Sequence, residues 1–305
     1  MSKIEDALNK KKDNANKALP KSNLSKSNLD KKSKIQESLE VTPDHKKKQN
    51  LVVSTEMSSV LVNRRSSVKE IAKMKQRNLI KSDDLAELKI INSSMDDIQL
   101  ANTYRNLRTK LLQSSKGKNF IAMVTSVVQD IHSSNTLLNI ATAFSLDEGK
   151  TSLLLDCNIN NPQLDYMLNM EDSLGITNYL EDERINIETI VHESGIKRLR
   201  VIPAGTQRET AIEYFTSLRM KNLTASLLNR YSDRYIFIDS PPVIGSADTK
   251  ILAELCDFVI LVVPYGTASI NRIRDAANAI GKDKLLGVIF SEIPKLPSSS
   301  TPQSS

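Results

Sequence analysis

The sequence has few aromatic residues, no tryptophan and only two cysteines. Aromatic residues make up 4% of the 305 residues, which argues against a surface that stacks sugars or single-stranded nucleic acid. Cys157 and Cys256 lack the spacing of a metal or redox motif, and we expect both to be small buried apolar residues. The longest apolar run, 258–265, is far shorter than the roughly 20 residues of a membrane span. With no signal peptide at the start, these absences favour a cytoplasmic protein.

The net charge of +6 is concentrated at the N-terminus. Residues 1–50 contain 13 Lys and 7 Asp or Glu, a difference of +6, so the remainder is close to neutral. This distribution argues against a basic folded face that binds nucleic acid. We predict that 1–98 is a disordered basic tail and linker with short helices at 1–8 and 66–80, that 99–293 is one domain, and that 294–305 is a disordered tail.

Apolar strands alternate with helical segments from residue 99 onward. The predicted helices are 100–114, 133–147, 215–231 and 268–281. The first places Tyr104, Leu107, Leu111 and Leu112 on its inner face, with Arg105 and Arg108 off that face. Six near-continuous apolar runs predict strands, at 120–128, 152–157, 199–204, 234–240, 257–264 and 285–291. This order predicts an α/β fold with a doubly wound, mostly parallel sheet that binds ligands at the carboxyl ends of its strands.

The loop after the first strand has the position of a phosphate-binding loop without its usual residues. Such a loop needs glycines whose amides converge on phosphate, a lysine, and a Ser or Thr for magnesium. In the stretch VTSVVQDIHSSNTLLNIA, Asp130 and His132 stand at the glycine positions, Ser133 replaces the lysine, and Ser134 keeps the hydroxyl. The pattern leaves Ser133 and Ser134 as weak remnants of a nucleotide site.

These replacements all weaken the binding of a phosphate group. A lysine next to a phosphate oxygen contributes on the order of 4 kcal/mol at an effective dielectric constant of about 20, and an ionised Asp130 would oppose binding on a comparable scale. Side chains at the glycine positions obstruct positive φ angles and close approach of the ligand. The alternative is an ordinary turn in which Ser133, Ser134 and Asn135 cap the following helix.

Three further signals lie close by in the sequence. Gly-Lys-Thr at 149–151 resembles a phosphate loop, but it follows a helix and precedes a strand, which is the reverse of the required order. Asp156 and Asp239 each end an apolar strand at the edge where a magnesium nucleotide would lie. An aspartate at a strand end is common in α/β proteins, but the pair beside the loop is a stronger signal.

An ordered series of motifs resembles the cytoplasmic bacterial tyrosine autokinases, more narrowly the type of exosortase-linked exopolysaccharide loci. The motifs are MSKIEDALNK, IAKMKQRNLI, YRNLRTKLL, VTS, LLLDCNINNPQL, LGITNYL, VIPAG, RYIFIDSPPV, ILAELCDFVILVV and GVIF. The resemblance implies a MinD-like P-loop fold that uses ATP and magnesium. It makes Asp156 the second acid, which activates the tyrosine hydroxyl, and Asp239 the acid that helps to hold magnesium.

The departures from that family concern the same chemistry. Besides the missing lysine and glycines, the first acid of the family's Glu-x-x-Arg-x-x-Arg oligomer motif is Asn102, while Arg105 and Arg108 remain. Ser291 replaces the asparagine that reads the base, and no tyrosine follows Tyr265, so the C-terminal tyrosine cluster is absent. We therefore regard Asp156 and Asp239 as vestigial catalytic residues and expect no firmly bound cofactor or metal.

The sequence supports three functions. The first is a non-catalytic or feebly catalytic kinase homologue, cytoplasmic and peripheral to the inner membrane, that acts in exopolysaccharide assembly by binding. Its partner would be a membrane chain-length determinant, an active kinase paralogue or a second copy of itself. The second is an active tyrosine autokinase that borrows a lysine such as Lys150. The third is a ParA- or MinD-like positioning ATPase, although Val128, Gln129 and Asp130 replace its Lys-Gly-Gly. The polysaccharide and the role of the basic tail are not encoded in any recognisable motif.

Overall fold

Seven strands form one sheet in the computed structural model, and helices cover both faces of that sheet. The structure describes residues 66–74, 76–93, 97–130, 132–208 and 212–293. The part of the predicted tail at 1–65, with its helix at 1–8, and the predicted tail at 294–305 lie outside the described residues. The strands are β1 (Ile121–Ser126), β2 (Thr151–Asp156), β3 (His192–Glu193), β4 (Leu199–Ile202), β5 (Arg234–Asp239), β6 (Phe258–Pro264) and β7 (Leu285–Ser291).

A helical segment at 66–72, within the predicted range of 66–80, precedes ten further helices in the described residues. These are α1 (Ser82–Glu87), α2 (Ile98–Ser114), α3 (His132–Ser145), α4 (Gln163–Leu168), α5 (Ile176–Glu181), α6 (Ile187–Ile190), α7 (Ile212–Thr216), α8 (Leu218–Arg230), α9 (Ala247–Glu254) and α10 (Ile270–Ile280). The predicted helix at 215–231 is divided at Ser217, whose side chain accepts the Met220 N–H and caps α8.

The strand order is β3-β4-β2-β5-β1-β6-β7. All neighbouring pairs are parallel except β3 and β4, which are antiparallel. The six predicted strands and the α/β, doubly wound, mostly parallel fold are confirmed. β3 was not predicted, because a strand of two residues has no apolar pattern to detect.

The sheet separates two apolar layers. One layer packs beneath α8, α9 and α10 and contains Ile236, Leu261 and Phe215. The other packs beneath α2 and α3, where Phe120 lies edge-to-face against Phe144 and Phe237 with ring centroids 5.7 and 6.0 Å apart. Cys157 and Cys256 are both buried free thiols, as predicted. Because both faces are covered, the central strands are apolar on both sides, which is the pattern seen in the sequence.

Residues upstream of α2 belong to the packed core. Ile90 and Ile91 are fully buried, although they lie in a stretch with no helical or strand period. The buried Asn139 side chain accepts the Ile91 N–H at 2.8 Å and donates to the Lys89 carbonyl at 3.0 Å. The core therefore extends upstream of residue 99, where the sequence analysis places the start of the domain.

Two of the sequence motifs, LGITNYL and VIPAG, meet in the structure. The Ile176 N–H donates to the Pro203 carbonyl at 2.9 Å. A Cβ on Gly175 would lie 2.2 Å from that same carbonyl oxygen, so only glycine permits this approach. The contact fixes the loop after β4 against α5, near the carboxyl edge of the sheet.

Candidate functional site

The loop after β1 lies at the carboxyl edge of the sheet, where the chain leaves the central strand and enters α3. β1 is flanked by β5 on one side and by β6 on the other. In open α/β sheets, ligands bind outside the carboxyl ends of the strands at such a position. The N–H groups at the start of α3 point toward this edge, so the backbone retains the frame of an anion site.

The Asp130 carboxylate fills part of this anion site. Its Oδ1 accepts the backbone N–H of Ser133 at 2.9 Å, in the first turn of α3. The expectation that Ser133, Ser134 and Asn135 cap this helix is wrong, because all three lie inside α3 and the capping contact comes from Asp130. Burial raises the pKa of Asp130, although hydrogen bonds from the loop backbone lower it in part. The Asp130 carboxylate thus accepts a backbone N–H that would otherwise be free to donate to a phosphate oxygen.

Ser134 and Asp239 meet below the loop. The Ser134 hydroxyl donates to Asp239 Oδ2 at 2.5 Å, and both side chains are buried. The other oxygen, Asp239 Oδ1, is buried and has no hydrogen-bond partner within the described part of the chain. Of the predicted site residues, these two are brought into direct contact. Ser133 is also buried, and its backbone N–H donates to Asp130.

Asp156 lies beside Asp239, because the two residues are paired in the register of β2 and β5. Its carboxylate holds the following loop: Oδ1 accepts the Asn158 N–H at 3.0 Å and Oδ2 accepts the Leu164 N–H at 3.1 Å. Asp156 is fully buried. In this arrangement both oxygens are engaged by the protein's own backbone.

Asp165 is a third buried acid at this edge that sequence reasoning missed. It lies on α4, and both of its oxygens accept the Ala204 N–H at 3.2 Å. The sequence offered no signal, since an aspartate in a six-residue helix, not directly at the end of an apolar strand, looks like a surface residue. Only the packing of α4 against the sheet brings it beside Asp156 and Asp239.

The pKa values of the three buried acids are all raised. Burial raises the pKa of Asp239 to about 7 and that of Asp165 to about 7. For Asp156, burial and then the charges of Asp239 and Asp165 raise the pKa well above its usual range. Among the described residues, none of these acids or Asp130 forms an ion pair with Lys, Arg or His. In the described residues, these carboxylates are therefore held by hydrogen bonds and not by salt bridges.

Lys150 cannot supply the missing cation, so that part of the autokinase hypothesis is wrong. It directly precedes β2, whereas Asp156 ends that strand, which places the two roughly 20 Å apart along the sheet. Its Nζ lies 3.8 Å from Asp147 and 5.6 Å above the Tyr235 ring, at the amino edge. As the order of elements predicted, Gly-Lys-Thr at 149–151 is not a phosphate loop.

A different lysine lies near the mouth of the loop. Glu292 Oε1 is 3.4 Å from His132 Nδ1 and 3.7 Å from Lys89 Nζ, so one carboxylate joins the loop to the segment before α2. All three side chains are partly exposed. Lys89 stood outside every motif in the sequence, and only the fold brings it to this side of the sheet.

Arg105 and Arg108, predicted at an oligomer interface, differ in their contacts within the chain. Arg105 is exposed and donates to Asn102 Oδ1 at 3.1 Å. Arg108 was expected to lie off the buried face of its helix, but its Nη1 donates to the Ala143 carbonyl at 2.8 Å and its Nε is buried without a partner in the described residues. Part of Arg108 therefore stabilises the contact of α2 with α3.

The residues present fit magnesium-ATP only in part. Ser134 and Asp239 retain the hydroxyl and the acid that would hold the metal, and Asp239 Oδ1 is available as a ligand. The phosphate side does not fit, because a carboxylate occupies the Ser133 amide and no ammonium group belongs to the loop. Within the described residues, no group of three His, Cys, Asp or Glu side chains could hold a metal ion.

Together, the sheet order, the loop after β1 and the paired acids define a fold of the P-loop class. No family model matches the chain. The tyrosine-protein kinase YwqD of Bacillus subtilis (strain 168) is 30% identical over 218 residues, which are 70% of this chain and 86% of that protein. The chain therefore belongs to the bacterial tyrosine-protein kinase family. The succinoglycan biosynthesis transport protein ExoP of Rhizobium meliloti (strain 1021) is 27% identical over 207 residues, which are 63% of this chain and 25% of that protein.

Solved structures have the same fold. The chimerical protein CapA2B2 superposes with a TM-score of 0.62 at 20% identity, covering 76% of this chain and all of that one. The kinase domain of the Escherichia coli tyrosine kinase ETK gives a TM-score of 0.60 at 16% identity, covering 75% of this chain and 88% of that one. The MinD-like P-loop fold implied by the sequence resemblance is thus confirmed. None of the helices described here has the length and apolar character that a membrane span requires.

Proposed function

We propose that this chain is a non-catalytic or feebly catalytic member of its kinase family that acts in exopolysaccharide assembly by binding. The observation that carries the proposal is the hydrogen bond from the Ser133 N–H to the Asp130 carboxylate. A phosphate-binding loop leaves that amide open for an anion, whereas here the chain provides the anion itself. A triphosphate would have to displace the carboxylate and then lie beside its charge.

The charge around the loop supports the same proposal. In a phosphate site, a lysine offsets the charge of the ligand, on the order of 4 kcal/mol at an effective dielectric constant of about 20. Here the corresponding residue is Ser133, and the neighbouring acids Asp156, Asp165 and Asp239 have pKa values raised by burial. These acids therefore oppose the binding of a further negative charge. The hydrophobic core that stabilises the fold is nevertheless intact.

The partner class is inferred from the relatives of this chain. One of them is the succinoglycan biosynthesis transport protein ExoP, of which this chain matches a quarter. We infer that the partner is the cytoplasmic end of a membrane chain-length determinant or an active kinase paralogue. The protein would then lie in the cytoplasm and reach the inner membrane through that partner.

Calorimetric titration of the full chain with magnesium-ATP tests the proposal. We expect no binding tighter than about 1 mM, which corresponds to roughly −4 kcal/mol. Asp239→Ala serves as the matched variant, because it removes the acid that would hold the metal. Micromolar affinity in the native chain that disappears in Asp239→Ala would contradict the proposal.

An active tyrosine autokinase is the second candidate, favoured by the Ser134 to Asp239 hydrogen bond and by the position of Lys89. If Lys89 leaves Glu292 and turns toward the loop, it could replace the missing lysine. Incubation with labelled ATP would then give phosphotyrosine that is lost in Lys89→Ala and in Asp156→Ala. Lys150→Ala is the control, because Lys150 lies at the opposite edge of the sheet. Absence of label in the native chain would exclude this candidate.

A further inference from the structure

The tyrosines of this chain differ in how accessible their hydroxyl groups are. All of them lie in described residues: Tyr104, Tyr166, Tyr179, Tyr214, Tyr231, Tyr235 and Tyr265. Phosphoryl transfer to a tyrosine requires in-line contact between its hydroxyl and the γ-phosphate, so the phenol must be able to enter the cleft of a kinase. Exposure of the ring and freedom of its backbone therefore decide which tyrosine can be an acceptor.

Three of the rings are held by burial or by a hydrogen bond. Tyr235 is 3% exposed and belongs to the core. Tyr104 is partly buried, and this burial raises the pKa of its hydroxyl. The Tyr214 hydroxyl donates to Glu181 Oε1 at 2.5 Å. None of these hydroxyl groups can reach another protein without breaking contacts of the fold.

Tyr179 and Tyr231 each lie against an arginine. The Tyr179 ring centroid is 4.2 Å from the guanidinium carbon of Arg219. The Tyr231 ring centroid is 4.1 Å from the guanidinium carbon of Arg234. A guanidinium group over an aromatic face attracts the ring, more strongly where the pair is desolvated. Arg234 is such a case, since its Nε is buried. Both rings are therefore engaged within the protein.

Tyr166 is exposed, but its backbone is fixed. Its side chain is 57% exposed on α4. Just before it, the Leu164 N–H donates to Asp156 Oδ2 at 3.1 Å. The adjacent Asp165 carboxylate accepts the Ala204 N–H at 3.2 Å. Entry of Tyr166 into a kinase cleft would require α4 to leave the sheet and to break these hydrogen bonds.

The turn after β6 presents Tyr265 in a different way. Its side chain is 62% exposed, and the neighbouring Gly266 and Thr267 are exposed as well. A Cβ added to Gly266 would meet no atom of the described residues within 4 Å, so the turn projects away from the core. At the base of the turn, the Tyr265 N–H donates to the Ser291 carbonyl at 2.9 Å. The phenol thus lies on a projecting turn that a cleft can surround without disturbing the core.

We propose that Tyr265 is phosphorylated by an active tyrosine kinase that binds this chain. The inference rests on the proposed function, in which such a kinase is one of the two candidate partners. Tyr265 is also the last tyrosine of the sequence, so a C-terminal cluster of acceptors has no counterpart after it. The acceptor of this chain is instead a turn of the folded domain.

The reaction needs only the phenol from this chain. Tyr265 Oη attacks the γ-phosphorus of magnesium-ATP held by the partner kinase and forms the new O–P bond, while the bond from that phosphorus to the β–γ bridging oxygen breaks. ADP leaves, and the phenolic proton passes to a base of the kinase. The loop after β1 of this chain takes no part, so the reaction does not depend on nucleotide binding here.

Phosphorylation would change the charge of the carboxyl edge. At neutral pH a phosphotyrosine carries a charge of about −1.5 to −2. Tyr265 and Glu292 directly follow two residues that are paired in the register of β6 and β7, so they leave the sheet on neighbouring strands. Glu292 contacts His132 at 3.4 Å and Lys89 at 3.7 Å. The modification therefore adds negative charge to the edge where these contacts close the mouth of the loop.

Phosphopeptide mass spectrometry tests the site, on the full chain isolated from its native cells with phosphatases inhibited. We expect phosphate on Tyr265. In a phosphotyrosine immunoblot, Tyr265→Phe should lose the signal, whereas Tyr166→Phe, the control of similar exposure, should keep it. Thermal unfolding of Tyr265→Phe should match that of the native chain, because an exposed hydroxyl contributes little to stability. Unmodified Tyr265, or a signal that Tyr265→Phe keeps, would overturn the proposal.

A second experiment separates this site from the proposed function. The purified chain, dephosphorylated and incubated alone with labelled magnesium-ATP, should regain no label on Tyr265, because it supplies only the phenol. Label regained by the chain alone would reject both the partner kinase and the proposed function. If calorimetry finds no nucleotide binding and Tyr265 is unmodified in cells, only the phosphorylation site is rejected.

Discussion

Rebuilding the phosphate loop should strengthen the affinity of this chain for magnesium-ATP. The triple variant Asp130→Gly, His132→Gly and Ser133→Lys removes the carboxylate that accepts the Ser133 N–H, frees the backbone, and places an ammonium group at the start of α3. Ser134 and Asp239 are already in contact to hold the metal. We expect the affinity measured by calorimetry to rise at least about 100-fold, since one lysine contributes on the order of 4 kcal/mol at a phosphate.

The matched control for this experiment keeps the two glycines and replaces Ser133 with Met. Methionine has nearly the length of lysine without its charge, so binding should rise only slightly in Asp130→Gly, His132→Gly, Ser133→Met. Thermal unfolding of both variants verifies that the buried position 133 tolerates the longer side chain. If the lysine variant folds and still binds no ATP, the loss of binding in the native chain has a cause other than these three residues.

Lowering the pH from about 8 to about 5 should stabilise the fold. The pKa values of Asp239 and Asp165 are raised to about 7 by burial, and that of Asp156 is raised further by its neighbours. In this range the folded chain retains protons that the unfolded chain has lost, so unfolding releases protons and acid favours the folded state. The gain should be on the order of 3 kcal/mol, or roughly 5–10 °C in Tm. This contribution should level off, and remain fully present, as the pH falls toward 4, where the unfolded acids also bind protons.

The variant Asp239→Asn tests whether the cluster of Asp156, Asp165 and Asp239 causes this pH dependence. The amide keeps the shape of the side chain and can still accept the Ser134 hydroxyl, but it has no charge to bury. We expect a higher Tm than in the native chain at pH 8 and a nearly equal Tm at pH 5. Asp172→Asn is the control, since Asp172 is exposed and should change little at either pH. A lower Tm at pH 8 would indicate that the ionised Asp239 stabilises the native structure.

Much of the sheet could be read from the sequence, because its strands are covered on both faces. Six apolar runs predicted six parallel strands, and only the two-residue β3 was missed. The acids at the ends of two strands were recognised for the same reason, since parallel strands direct their carboxyl ends to one edge. Contacts of single polar side chains were less predictable. Asp130 rather than a serine holds the first turn of α3, and Arg108 turns toward α3 instead of away from it.

The sequence by itself determined the α/β order of elements and the missing lysine and glycines, because these depend on local periodicity and on residue identity. Tertiary structure decided which charges lie together. It brought Asp165 beside Asp156 and Asp239, placed Lys89 near the loop, and left Lys150 at the far edge. It also decided which tyrosines are exposed. The physical reason is that Coulomb energies and burial depend on distances between residues far apart in the chain, and no local pattern records those distances.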